Sequence, residues 1–301
     1  MEDLSKYTTT AKVWALQEFG RVGPRAFRAL IAYFGDVDGI LSAERDELLA
    51  IEGLDEEMAD NINQAESALE EAEVFIDAMN IRDIATTTQV DKRYPELFNE
   101  LNDPPPIIFH RGQLPKQNEK RVAIVGSIKA TNEGIAVAVA LAGDLAKKKI
   151  SIVSGLAQGI GSAAHLGALK EEGRSYALLG SGFDNIYPEE NRALAIELVK
   201  NGGIISEYRP DTDYSPERDI ERNRLIVGLS QAVIIGEIYG DSKEALDTAI
   251  FCHQSGKLMF LLIDGIDLPG RDRSGVEKVL HYGAIPVTLA EAVEMIPRSL
   301  V

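Results

Sequence analysis

Three short runs of small residues in the second half of this chain suit anion chemistry: Gly126-Ser127, Ser154-Gly155 and Gly180-Ser181-Gly182. Each closes a continuous apolar stretch (Val122–Val125, Ile150–Val153, Tyr176–Leu179) and leads into a helical pattern, the third after a longer loop. Glycine lets the backbone approach a ligand, and serine supplies a hydroxyl. The amino end of the next helix adds unpaired N–H groups with a partial positive charge. One such turn is adequately read as a tight bend; three at one sheet edge make an anion pocket suited to phosphate. The candidate phosphate-binding residues are Gly126, Ser127, Lys129 and Thr131 from the first turn, and Ser154, Gly155, Gln158 and Gly159 from the second. Gly180, Ser181 and Gly182 from the third join them, with Arg222, Asn223 and Arg224 from a later helix.

Each polar candidate also has a structural reading. Lys129 is either the first phosphate contact or a solvated lysine. Arg222 and Arg224, two apart on a helix, diverge, so one faces the pocket while the other pairs with an acid such as Glu207. Asn223 suits a sugar, a base or a backbone carbonyl. Tyr187 either stacks on a base or packs beside Pro188. His165, among alanines, reads as an interior histidine, and Lys147-Lys148-Lys149 suits a helix carboxyl end. Glu207, at a strand end, is the one side chain placed to act as a base. No H-E-x-x-H, paired-cysteine or G-x-S-x-G pattern is present, and Cys252 lies in an apolar helical run. The expectation is therefore a binding protein with no catalytic residues, no metal and no cofactor. The first turn lacks G-x-G-x-x-G spacing and no G-K-[ST] follows a glycine-rich run, which excludes dinucleotide and Walker A readings.

Positioning these turns requires alternating strands and helices. From Arg121 the pattern runs strand Val122–Val125, helix 131–148, strand Ile150–Val153, helix 157–172, strand Tyr176–Leu179 and helix 190–200. Strand Gly203–Ser206, helix 220–229, strand Ala232–Ile235, helix 243–253 and strand Leu258–Ile263 complete it. This predicts an α/β fold: an extended Rossmann-like, mostly parallel sheet with helices on both faces. Residues 1–80 predict a small all-α module, with a helix-hairpin-helix (SAM-like) turn at Leu48–Leu54 before a helix over 55–68. Residues 81–120 form a proline-rich connector with an entry strand at Ile107–His110, and 121–301 form the Rossmann-like domain.

Charge is uneven. The net is −17, but residues 1–80 carry 18 acidic and 6 basic side chains, while residues 81–301 carry 30 and 25. The acidic module suits a protein partner or plain solubility better than DNA, and Asp55, Glu56 and Glu57 repel phosphate at the hairpin. One cysteine precludes an internal disulfide, no apolar run reaches membrane-span length, and the first residues lack a secretory layout. Together these predict a cytoplasmic protein that does not engage a membrane.

The segments Val125–Thr131, Ser154–Ile160 with Ala164-His165, and Gly182–Asn191 resemble the DprA/Smf family (DNA processing protein A). So do Ile205–Tyr208, Arg222-Asn223-Arg224 with Gly228-Leu229-Ser230, and Gly283-Ala284, all in the family's order. The resemblance reaches back through Tyr94-Pro95 and Asp103-Pro104-Pro105 into the helical module, without the C-terminal winged helix of many members. It implies an extended Rossmann fold, single-stranded DNA binding, a homodimer, and delivery of DNA to a RecA-type recombinase during competence, transformation and recombination. Ile128 stands where the family usually has arginine, removing one forked phosphate donor, and Gly161 replaces an aspartate. Asp219-Ile220-Glu221 replaces an aromatic-proline entry, and Gly240-Asp241-Ser242-Lys243 replaces a serine-glycine-serine run. The alternative is a small-nucleotide sensor or a phosphoribohydrolase-like enzyme using the same pocket, although Ile238–Glu244 lacks the Pro-Gly-Gly-x-Gly-Thr loop of such enzymes.

Overall fold

The computed structural model describes residues 3–240, 242–264 and 272–300. Asp241, in the loop compared above, lies outside them. The chain divides into two compact units, one formed by residues up to Tyr94 with Asn102–His110, the other by Pro95–Leu101 and the chain from Arg111 onward. The segment expected as a connector, 81–120, contributes to both.

The first unit contains α1 (Thr9–Glu18), α2 (Pro24–Phe34), α3 (Val37–Leu41), α4 (Arg45–Leu49), α5 (Glu56–Ala65) and α6 (Leu69–Ile81). β1 (Ala85–Thr88) then pairs antiparallel with β2 (Ile107–Gly112), Ala85 opposite His110. Local chemistry sets the helix starts. Thr8 caps α1 by accepting from the Ala11 amide, Asp36 caps α3 at Gly39, and Pro24 occupies the first turn of α2, where its missing N–H costs nothing. Trp14 stacks on Phe75 at 4.3 Å and meets Phe109 edge-on at 5.6 Å, filling the core of this unit. The expected hairpin is present as α4, a turn with Gly53 at φ +91°, and α5. Asp55 caps α5 by accepting from the Met58 amide, and Glu56 and Glu57 occupy its first turn, so carboxylates already satisfy that helix's amino end.

In the second unit β3 (Arg121–Val125), α7 (Asn132–Lys147), β4 (Ser151–Gly155), α8 (Ile160–Lys170), β5 (Ser175–Leu178), α9 (Arg192–Lys200) and β6 (Gly202–Ser206) alternate. α10 (Pro216–Gly228), β7 (Ala232–Ile235), α11 (Lys243–Gln254), β8 (Leu258–Leu262), α12 (Ser274–His281), β9 (Ile285–Val287) and α13 (Leu289–Ser299) follow. The seven strands are parallel in the order β6-β5-β4-β3-β7-β8-β9. Val122 pairs with Ala232 and Ile152 with Ser175, and the strands are buried on both faces, as their unbroken apolar runs require. On one face Val122, Ile124, Ile152, Ile234 and Phe260 pack against Leu141 and Leu145 of α7 and Ile296 of α13.

The chain builds outward from β3 to β6, then crosses back to lay β7 on the other side of β3. That reversal opens a crevice beyond the carboxyl ends of β3 and β7. α10 begins at Pro216, four residues before the start expected at Ile220, because Ser215 caps it by accepting from the Arg218 amide and Pro216 suits the first turn. The extra turn extends the face of α10 at this crevice to Pro216 and Asp219.

Candidate functional site

A cavity of about 860 Å3 opens at the switch point. Gly126, Ser127, Ile128 and Lys129, following β3, form one wall, and Ala157 and Gln158, leading into α8, form the next. α10 contributes Pro216, Asp219, Ile220 and Asn223, positions i, i+3, i+4 and i+7 of a single helical face. Tyr239, Ser242, Lys243 and Glu244 close it from the entry to α11, and Tyr187 and Tyr214 stack at its margin, centroids 3.8 Å apart and planes 22° from parallel. Neither Gly159, which precedes α8, nor Ser242, which precedes α11, donates or accepts a side-chain cap. At α8 the Ile160 amide already donates to the Ser127 carbonyl at 3.2 Å and the Ser162 amide to the Ala157 carbonyl at 3.1 Å, whereas the uncapped start of α11 lines the cavity, with the exposed ammonium groups of Lys129 and Lys243 beside it.

The third helix of the set, α7, differs. Its cap, Thr131, accepts from the Gly134 amide, while the Thr131 amide donates to Glu237 Oε1 at 2.6 Å and the Thr131 hydroxyl also binds the Glu237 carboxylate. The Glu237 carbonyl accepts from the Ser127 amide at 2.8 Å, and Ser127 Oγ accepts from the Lys129 amide at 3.2 Å. A buried carboxylate from the loop after β7 thus occupies the position an anion would take at α7 and fixes the first turn in shape.

Of the residues singled out from the sequence, Gly126, Ser127, Lys129, Gln158 and Asn223 meet around the cavity. Thr131 is held by Glu237, as above. Gly159 adopts φ +75°, and a Cβ there would lie 2.2 Å from the Ser127 carbonyl oxygen, so glycine lets the first two turns touch. The rest support the wall from behind. Ser154 Oγ donates to the Ile124 carbonyl at 2.7 Å, and the Ser181 carbonyl accepts from Ser206 Oγ. Gly180 packs on Asp219, and Gly182 packs on the Arg209 and Pro210 carbonyls, closer than any Cβ would allow. A Cβ on Gly155 would stand 1.8 Å from Arg222 Nη1.

Arg222 itself is 1 % exposed. Its guanidinium donates to the Leu178 carbonyl at 2.8 Å and to Asp219 Oδ1 at 2.5 Å, with Glu244 Oε1 at 3.5 Å. Arg224 pairs with Glu207 at 2.5 Å. The divergence expected for these arginines is present, and the Glu207 partner is the one foreseen. Arg222, however, runs under the cavity floor, where it anchors two carboxylates that do line the cavity, Asp219 and Glu244.

Sequence reasoning did not single out Tyr214, Tyr239, Glu237 or Glu244 as site residues. They come from loops and a helix start far from the glycine turns in the chain, and no local pattern marks them; the helical spacing from Pro216 to Asn223 was the available signal for Asp219. Desolvation pushes the Glu244 carboxyl up to about 7, against the opposing pull of Arg222 and with help from Asp219. Desolvation first, and Asp219 second, push the Tyr214 phenol up to about 12, so it stays a neutral donor. His165, fully buried, bonds Ser175 Oγ at 2.7 Å and the Gly155 carbonyl at 3.2 Å, and burial lowers it to about 4. It is a neutral interior residue. Cys252 is buried in the core of α11. Among the described residues, no group of three or more acids, histidines or cysteines is arranged to hold a metal, and no helix is long and apolar enough to cross a membrane.

Comparison with known proteins follows the same lines. Residues 85–296 match the family described as DNA recombination-mediator protein A. Protein Smf of Synechocystis sp. is 32% identical over 269 residues, which span 87% of this chain and 66% of that protein. The DNA processing protein DprA of Bacillus subtilis is 32% identical over 202 residues, 66% of this chain and 67% of the relative. Among solved structures, DNA processing protein A from Streptococcus pneumoniae superposes with a TM-score of 0.76 at 26% identity, covering 96% of this chain and 98% of that one. A DNA processing protein A from Helicobacter pylori, described for its single-stranded DNA binding mode, gives 0.63 at 26% identity, covering 72% of this chain and 97% of its own. With a family match across most of the α/β unit and relatives aligned along the turns that build the cavity, the chain belongs to the DNA recombination-mediator protein A family, the DprA/Smf proteins.

Proposed function

We propose that this protein binds single-stranded DNA across the carboxyl edge of its parallel sheet and delivers it to a RecA-type recombinase, acting as a binding protein rather than an enzyme. The observation that carries the reading is the uncapped amino end of α11, opening with Lys129 and Lys243 on one cavity at the switch point. That arrangement supplies fixed N–H donors and two mobile cations, the combination that holds a phosphodiester. Tyr187, 53 % exposed and stacked on Tyr214, offers an open aromatic face to a base. Within the proposal, Gly126, Ser127, Lys129 and Gln158 contact the strand, while Ser154, Gly155, Gly159, the Gly180–Gly182 turn, Arg222 and Arg224 hold the wall in place. The Helicobacter pylori relative supports the choice of ligand. A homodimer acting in the cytoplasm, as in the family expectation, completes the proposal.

The test is an anisotropy titration of a labelled oligonucleotide about 40 bases long at low salt. Single strands bind more tightly than duplex, and log affinity falls with log salt at about 0.7 per phosphate neutralised. Lys129→Ala and Lys243→Ala each weaken binding about fivefold and reduce the salt slope. An oligonucleotide that stays free at low salt would end the proposal.

A further inference from the structure

The acidic first unit has a basic end. Residues 36–80 hold fifteen acidic side chains against Arg45, whereas residues 4–35 hold five basic side chains against Glu18 alone. Of those five, Lys12 is buried on Asp38 at 2.7 Å, and Lys6 precedes α1. The other three, Arg21, Arg25 and Arg28, are exposed and gather at the turn between α1 and α2. The guanidinium groups of Arg21 and Arg25 have no hydrogen bond or ion pair among the described residues. Among those residues, too, α2 is the one α-helix of this unit without a carboxylate. The turn is rigid. Val22 and Phe27, both 1 % exposed, pin it to the core, and the Gly20 and Val22 amides close it on the Ala15 and Leu16 carbonyls, each at 3.0 Å. Beyond it Arg25, Arg28 and Ala32 lie at i, i+3 and i+7 on one exposed face of α2, with Ala29 beside them. Gly23 gives α2 no side-chain cap, and a Cβ there would meet nothing within 4 Å, so this helix start is open where that of α5 is closed by Asp55.

We infer that the α1–α2 turn is a nucleic-acid site of its own, which grips the phosphate backbone of duplex DNA without reading its bases. Planar guanidinium groups fork onto phosphate oxygens, and all three cations here are arginine. The alanines among them leave no bulk to hold a backbone away from the helix. The face carries no aromatic ring on which an unpaired base could stack: Tyr33, next after Ala32, turns about 100° away around the helix and meets Phe34 edge-on at 4.9 Å. Cations fixed on a rigid hairpin suit a duplex, whose phosphates stand at regular intervals, better than a slack single strand. At about 0.1 M salt a carboxylate more than about 10 Å away is largely screened, so the local excess of arginine decides the contact rather than the net charge of the unit. The contact lies in a different unit from the cavity and does not depend on what the cavity holds.

The experiment titrates the full chain against a labelled duplex of about 20 base pairs and, separately, a labelled oligo(dT) of about 12 bases, from about 50 to 200 mM salt. The double variant Arg21→Gln with Arg25→Gln is expected to weaken duplex binding about tenfold and to reduce its salt slope by about 1.8, two phosphates at about 0.9 each. Its affinity for the short single strand stays within about twofold. Both side chains are exposed, so an unchanged urea midpoint shows that the variant folds. Lys129→Ala with Lys243→Ala gives the opposite pattern, weakening the single strand and sparing the duplex. A duplex that the parent chain does not hold at 50 mM salt would overturn the inference and leave the arginines to an acidic protein. A duplex that is lost with the two lysines and kept without the two arginines would overturn it as well. Failure of the single strand alone to bind would instead remove the function proposed for the cavity and leave this site standing.

Discussion

At the scale of single residues, the site is organised around charges that cancel one another before any ligand arrives. Arg222 spends its guanidinium on a carbonyl and two acids, and Gly155 exists in the form it does because any side chain there would collide with Nη1. Gly155→Ala is therefore expected to lower stability by about 3 kcal/mol, read as a shifted midpoint in urea denaturation, since neither the strand nor the buried guanidinium can retreat. Glu244 gives a pH signature. Its folded pKa lies above the ordinary value of 4.5, so its contribution to stability is fully present below about pH 4.5 and is lost as pH rises through 7. At pH 8 Glu244→Gln should be more stable than the parent by about 2–3 kcal/mol, and at pH 4 the two should unfold together. Equal midpoints at pH 8 would show that Arg222 fully compensates the buried charge.

At the scale of elements, what was legible in the sequence was what repeats locally. The apolar strands β3 to β8 and the glycine turns that end them stood out because a strand buried on both faces is an unbroken run and a close backbone approach demands a small residue. The short helix α3 and the threonine-rich β1 were not foreseen, being five and four residues long with little periodicity to detect. The weakly apolar β9 and the helices α12 and α13 were equally silent. The acidic lining of the cavity was hidden for a different reason: Asp219 and Glu244 become neighbours only because α10 and α11 pack together, and Arg222, which reads as a phosphate ligand in its Arg-Asn-Arg setting, is consumed by them. The carboxylate at α7 makes its own prediction. Glu237→Ala deletes the partner of the Thr131 amide and hydroxyl and should cost about 2 kcal/mol in thermal or chemical unfolding. Glu237→Gln, which keeps an acceptor and a shape, should recover most of that loss.

At the scale of the whole molecule, an acidic protein meets a polyanion through a small part of its surface. Charge is concentrated in the first 80 residues, and α5 there begins with Asp55, Glu56 and Glu57. Neutralising Glu56 and Glu57 together with glutamine should leave the affinity for a single strand within about twofold at physiological salt. A tenfold gain would mean that long-range repulsion from this module governs binding. The cavity's own lining carries Lys129 and Lys243 against Glu190, Asp219, Glu244 and Asp272. On the proposed reading attraction comes from oriented amides and from rim cations rather than from a basic field, and binding should be more sensitive to the two lysines than to changes in overall charge.

The seat of Glu237 at the amino end of α7 has a topological corollary. With that berth taken, the proposed site holds the strand at the rim of the cavity rather than at the amino end of α7. A site of this kind needs no free 5′ or 3′ end to thread, so closed circles of single-stranded DNA should be gripped as firmly, nucleotide for nucleotide, as linear ones.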